Sequence, residues 1–421
     1  MANFMEFKPP RTADDWEALE YEASTYFSPS APIDERDLFA GRQTELRKMI
    51  EAVVEKGKHA VLYGERGVGK TSLAKIFRLV FPSLLDKVVL VREQVDPSDD
   101  FTSIWRRVFK DIDAIQGTRL VQATGELIAP DDIRRALERS FKVSDIPVIV
   151  IDEFDKVDNA DVRTLMANVL KNLSDYAVNA TVVLVGVADD IGDLLDEHAS
   201  LSRCIEQILM PRMSNIEMRE ILNKRLPRLG MKIEGDALWK IVTLARGLPS
   251  YVHLLGLYAT QDAIRMRRLT ITEKNVDAAI KRALEKSQES IQREYAAATH
   301  TNRSDTLFSE VLLACALAKT DDRGLFSPNS VVAPLQRIMD RPELTIANFQ
   351  NHLKKFISDE RRNILVRRGS PRAYKFRFRD PMMQPFIVMK GVESGLIDAS
   401  ALGVLSSPEE PELPIGLSQP S

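Results

Sequence analysis

A chain of 421 residues exceeds what one ordinary hydrophobic core holds, so two or three domains are expected. Its 44% apolar and 28% charged residues describe a water-soluble globular protein; no apolar run long enough for a membrane span and no export segment is found, and two distant cysteines, Cys204 and Cys315, argue against a disulfide framework or a zinc site. The net charge of −3 conceals 16 basic against 9 acidic residues between Arg303 and Lys390, followed by a tail with five acids and no base.

Residues 1–36, rich in Pro, Ser and charge, read as an N-terminal arm. From 37 to 213 short apolar runs alternate with helical stretches: AVLYG at 60, KVVLVRE at 87, IPVIVIDE at 146, TVVLVGVAD at 181 and IEQILM at 205. Continuous rather than alternating apolarity marks strands buried on both faces, hence a parallel five-stranded α/β sheet with crossover helices. Residues 214–292 show apolar spacing of three and four and no strand pattern, which predicts a small helical lid. Residues 293–303 read as a linker, 304–390 as three helices and a hairpin, and 391–421 as a partly disordered acidic tail.

The strongest signal is Gly64, Glu65, Arg66, Gly67, Val68, Gly69, Lys70 and Thr71, a G-x-x-x-x-G-K-[ST] loop between a strand and a helix, with Ser72 following. Glycines allow successive backbone N–H groups to converge on phosphate oxygens, the next helix offers its positive end, and Lys70 adds a point charge. Thr71 supplies a hydroxyl to Mg²⁺. The second signal is the run from Pro147 into Asp152 and Glu153: two carboxylates at the C-terminal end of a strand, where open α/β sheets bind ligands. Asp152 suits a magnesium ligand and Glu153 a base that polarises the attacking water. The adjoining Asp155 reads as a surface or supporting residue.

The order of these pieces resembles the AAA+ superfamily, and within it the initiator clade of origin-recognition and transposition-regulator ATPases, over about residues 37–390. The resemblance implies an α/β P-loop AAA+ core, a helical lid, ATP with Mg²⁺ as the bound nucleotide, and ATPase activity. It places Phe39 and Arg42, within Leu38–Glu45, at the adenine. It offers Asp189 as the polar residue that senses the γ-phosphate, where relatives carry Asn, Thr or Ser. It also offers Arg203 as an arginine finger acting in trans on a neighbouring subunit of a homo- or hetero-oligomer. Where many relatives have a lid arginine this chain has Ser250; Arg246 is the nearest substitute. His253 nearby reads as a packed core histidine.

Residues 304–390 fit a winged helix. Thr345 caps a third helix whose Ile346, Phe349, Leu353, Phe356 and Ile357 face inward, leaving Asn348, Gln350, Asn351, Lys354 and Lys355 outward. A hairpin turns at Gly369–Pro371, and eight basic residues with no acid lie between Arg361 and Arg379. The candidate contacts to duplex DNA are Asn351, Lys354, Lys355, Arg367, Arg368, Arg372 and Lys375.

These readings converge on a cytoplasmic or nucleoid-associated ATP-dependent switch that assembles with nucleotide and binds duplex DNA, without a membrane partner. Two alternatives stay open. One is a regulatory or defence-system ATPase whose winged helix docks a protein; the other is a nucleotide-binding scaffold with little turnover.

Overall fold

The computed structural model describes residues 8–29, 35–77, 87–142, 144–188, 191–195, 201–300, 307–370 and 373–398. They fall into two compact units, Ser30–Lys224 and Met1–Pro29 with Arg225–Ser421.

Helix α1 (Ala13–Tyr26), opened by a reciprocal Thr12/Asp15 capping box, belongs to the second of these. The unit Ser30–Lys224 then contains α2 (Gln43–Val54), β1 (His59–Gly64), α3 (Lys70–Ile76), β2 (Val88–Gln94), α4 (Phe101–Gln116), α5 (Leu120–Ala123), α6 (Pro130–Ser140), β3 (Ile146–Asp152), α7 (Ala160–Asp175), β4 (Thr181–Val187), β5 (Ile205–Leu209) and most of α8 (Asn215–Arg225). All five expected strands form. They pair in parallel in the order β2-β3-β4-β1-β5, giving the expected α/β P-loop AAA+ sheet.

Central strands β1, β3 and β4 are almost wholly buried, whereas edge strands β2 and β5 are partly exposed, which explains why their sequences carry charge. Trp105 and Phe109 of α4 and Met166 and Leu170 of α7 pack on this sheet. The loop after β1 and the carboxylates ending β3 therefore lie on one sheet edge, separated by β4.

One buried side chain ties the middle of this sheet together. His59, fully buried, accepts the Val182 N–H at Nδ1 (3.1 Å), so its proton sits on Nε2, which donates to the Leu170 carbonyl (3.0 Å). The ring thus joins β1, β4 and α7. Burial lowers its pKa to about 4 from 6.5.

In the other unit, α9 (Gly235–Ala245), α10 (Pro249–Arg265) and α11 (Glu273–Glu285) form the expected helical lid. The sequence showed no strand there, yet β6 (Lys232–Ile233) and β7 (Thr270–Ile271) make a two-residue parallel ladder, too short for a periodic signal. Helix α1 lies on α10, with Gln261 donating to Ser24 and Arg265 paired with Glu20 (2.7 Å). Most of the stretch read as a linker is helical: α12 spans Glu289–Thr299. The rest is α13 (Phe308–Leu317), α14 (Pro328–Met339), α15 (Ile346–Phe356), the antiparallel hairpin β8 (Leu365–Arg368) and β9 (Lys375–Phe378), and α16 (Met383–Glu393). Helix α16 was not anticipated as an element. Phe326 adds a single bridge to Phe376. Of the tail, residues 399–421 lie outside the described residues. Among the described residues no helix is long and apolar enough to cross a membrane.

Because the unfolded His59 binds a proton near pH 6.5 and the folded one only near 4, its contribution is complete above pH 6.5 and lost as pH falls toward 4. The loss should reach about 3 kcal/mol. Denaturant unfolding at pH 7.5 and pH 4.5 should show it, and His59→Gln should be weaker at neutral pH but less acid-sensitive. An identical acid slope in both proteins would refute this role.

Candidate nucleotide site

The loop between β1 and α3 turns through positive φ at Gly64, Gly67 and Gly69. Gly64 has φ of 145°, and a Cβ there would lie 2.5 Å from the Met210 carbonyl; Gly69, with φ of 97°, turns the chain into α3. These turns direct two carbonyls inward. Lys70, 8% exposed, donates from Nζ to Gly64 O (2.9 Å) and Glu65 O (2.7 Å). Burial lowers its ammonium to about 8, opposed by the carboxylates of Asp155, Asp152 and Glu65. Among the described residues no carboxylate forms an ion pair with it. A buried cation stabilised only by main-chain oxygens and distant charges is what an incoming polyphosphate would complete, so the residues present fit a nucleotide.

Asp152, 2% exposed, ends β3 with both oxygens engaged: Oδ1 accepts the Glu153 N–H (2.9 Å) and Oδ2 pairs with Arg92 of β2 (2.6 Å). Glu153 sits in the left-handed region (φ 58°), which swings its side chain away from the strand. Lys156 (2.5 Å) and Gln94 donate to its carboxylate. Burial would raise that carboxyl, but these hydrogen bonds and the charges of Lys156 and Arg66 hold it below the usual range. Asp155, exposed, accepts the Val187 N–H (2.8 Å) and so fixes the end of β4.

Arg42, read from sequence as an adenine neighbour, is a buried strut. Its Nη2 donates to Val68 O (2.9 Å) in the phosphate loop and to Pro211 O (2.6 Å). Its N–H and that of Gly41 donate to Glu217 and Glu220 of α8. Burial lowers its pKa despite the nearby carboxylates of Glu217 and Glu45. Phe39 is also buried, its carbonyl accepting from Lys224 (2.6 Å). Glu65 makes a two-point, buried ion pair with Arg212 (2.5 and 3.2 Å). Arg212, Arg92, Gln94 and Glu217 carry no local motif, and sequence reading missed them.

The family model described as Novel STAND NTPase 1, nSTAND1, matches residues 30–331. The chain belongs to this NTPase family. Among curated proteins none matches the chain. A Walker-type ATPase of Pyrococcus abyssi is 15% identical over 86% of this chain and 99% of its own, with a TM-score of 0.50. Cdc6p from Pyrobaculum aerophilum is 14% identical over 89% of this chain and 99% of its own (TM-score 0.47). The Orc1 protein of Aeropyrum pernix, solved in complex with DNA, is 18% identical over 88% and 96% (TM-score 0.44). At such identities the likeness concerns the fold.

The remaining candidates of this nSTAND1 protein are placed unevenly. Asp189 and Arg372 lie outside the described residues. Arg66 is exposed, and Thr71 and Ser72 are partly so, at the mouth of the loop. Arg203 is 67% exposed just before β5, paired with Asp175 at 2.6 Å. Ser250 turns its hydroxyl to Met382 (3.7 Å), and Arg246 donates to Ala318 O (3.2 Å), all within the unit that holds the lid. His253, buried, accepts the Ser28 N–H and meets Phe27 edge-on; burial lowers it to about 3.

In the C-terminal module Asn351, Lys354, Lys355, Arg367 and Arg368 are exposed, as is Lys375, which pairs with Asp321 (2.8 Å). Arg367 stacks on Tyr374. Asn348 is exposed as expected, and one residue of the basic run is not. Asn348 caps α15, accepting the Thr345 N–H (2.8 Å). Arg361 is buried over the Phe308 ring and donates to the carbonyls of Ala297, Ala298 and His300, closing α12. Its stem and charge are spent on a helix end because those carbonyls otherwise lack partners.

Arg212→Ala should leave the Glu65 carboxylate buried without its cation and lower stability by about 3 kcal/mol, readable by chemical denaturation. A change under about 0.5 kcal/mol would show the pair to be dispensable.

Proposed function

We propose that this nSTAND1 protein binds and hydrolyses ATP as a switch whose assembly follows nucleotide state and whose C-terminal module, a winged helix, binds duplex DNA. Lys70, buried and without an ion pair among the described residues, carries the nucleotide part of this reading. Lys70 and the loop N–H groups would hold the phosphates. Thr71 and Asp152 would hold Mg²⁺, which when bound neutralises charge on phosphate oxygens. Glu153, kept ionised by Lys156 and Gln94, orients and deprotonates water, and Asp189 is assigned to positioning it at the γ-phosphate. The Arg203–Asp175 pair is exposed and weak, so the guanidinium can be given up to an adjoining subunit. We place the protein in the cytoplasm or on the nucleoid.

Lys354, Lys355, Arg367 and Arg368 leave an exposed basic surface on α15 and the hairpin, which supports DNA contact. Four phosphate contacts predict a slope of roughly −3 to −4 in log affinity against log salt. Fluorescence anisotropy with a short duplex tests this: a flat salt response, or no binding at low salt, would favour a protein-docking module.

A second reading, a scaffold with little turnover, draws on the engagement of both carboxylates by Arg92, Gln94 and Lys156 and on Ser250 facing Met382. Glu153→Gln separates the two. On the switch reading it abolishes phosphate release while nucleotide affinity holds, and Arg203→Ala removes the rise of specific activity with protein concentration. Wild-type turnover no greater than that of Glu153→Gln would establish the scaffold.

Lys70 also sets a pH dependence. Its ammonium, near 8 in the unliganded site, should be raised by bound phosphate, so protons are taken up on binding and affinity falls as pH rises through 8. Calorimetry in two buffers of different ionisation enthalpy at pH 8 measures the uptake; an apparent enthalpy independent of buffer would disprove it.

A further inference from the structure

Strand β2 contributes a charge to the site that no sequence motif accounts for. Arg92 stands opposite Val150 in the β2–β3 register, on the same sheet face as Asp152 two residues on. Its Nη2 lies 2.6 Å from Asp152 Oδ2, while the Glu153 N–H holds Oδ1 at 2.9 Å. The carboxylate is 3% exposed and the arginine side chain 28% exposed, on an edge strand. The arginine Nε is buried without a hydrogen-bond partner. Among the described residues Thr71, the other hydroxyl-bearing candidate for the metal, has no hydrogen bond to its side chain. One expected metal ligand is thus ready and the other is occupied by a cation.

We infer that Arg92 is a resident counter-ion for Asp152, competing with the divalent cation for this carboxylate, so that magnesium enters only as the guanidinium moves off Oδ2. The inference rests on the nucleotide reading of the site given above. The Asp152 side chain is almost wholly buried and needs a polar partner for Oδ2, which Arg92 supplies. A guanidinium and a divalent cation on one carboxylate oxygen repel at close range in a poorly hydrated site. Arg92, 28% exposed, has a route toward solvent, and its present pose leaves the Nε donor unmet. Arg92 is a positioning residue: it acts through Asp152 and sets how strongly nucleotide binding depends on metal.

The test is equilibrium binding of a fluorescent ADP analogue to the full chain, once in excess Mg²⁺ and once in EDTA, for the wild type, Arg92→Gln and Arg92→Lys. In wild type the two dissociation constants should differ by less than about tenfold. In Arg92→Gln the magnesium value should tighten while the EDTA value holds, widening the ratio by about tenfold. Arg92→Lys keeps the charge on a shorter stem and should give an intermediate ratio, which a purely structural role would not produce. Should Arg92→Gln unfold, Arg92→Lys carries the test alone. An unchanged ratio overturns the inference and leaves the nucleotide site standing; failure of the wild type to bind the analogue in either medium overturns both.

Discussion

The ammonium of Lys70 is carried into a part of the molecule with little water, and a charge so placed must be met by fixed dipoles or by a counter-ion. Two carbonyls, of Gly64 and Glu65, meet it, and they can point inward only because Gly64 takes a backbone angle that a side chain would strain while passing close to Met210. That close approach fixes the loop against the end of β5. The loop then needs its own supports: Arg42 holds Val68 and Pro211 by their carbonyls, and the Glu65–Arg212 pair closes the opposite side. Removing any one of these leaves a buried polar group unanswered, which costs more than the bond itself contributes. The loop's geometry is thus specified by long-range polar contacts as much as by its glycines.

This explains what could and could not be read from the sequence. The five strands were legible because a strand buried on both faces must be apolar at every position, and the phosphate loop because its function is local: glycines, lysine and threonine act within eight residues. Arg42 was singled out beside the phosphate loop, but its partners Val68, Pro211 and Glu217, 26 to 175 residues away, were not legible. Arg92 and Gln94 reach their carboxylates across about 60 positions, and Arg212 reaches Glu65 across 147. No spacing rule connects such residues. Helix α12 was read as a linker for a similar reason: its C-terminal carbonyls are satisfied by Arg361, more than sixty residues later, so the signal that ends the helix is not in the helix.

Counting charge along the sequence overstated the basic surface of the C-terminal module. Arg361 is a helix cap, Arg379 donates to the Asn363 carbonyl and Lys375 faces Asp321. Lys354 and Lys355 on α15, Arg362, Arg367 and Arg368 on and before β8, and Lys375 and Arg379 on and after β9 remain exposed.

The lid and this module are one body. Pro249, Ser250 and Tyr251 open α10, and this turn is built into the module: the Tyr251 hydroxyl donates to Met382 O (2.7 Å), Ser250 faces the Met382 sulfur, and Arg246 reaches Ala318 O. Gln384 donates to Ala316 O (2.7 Å), joining α16 to the end of α13. Each of these bonds is buried or partly so, and slippage between lid and module would leave several polar groups unpaired at once. The polar groups at the start of α10 are thus answered from within the same unit, by Met382 and by the end of α13.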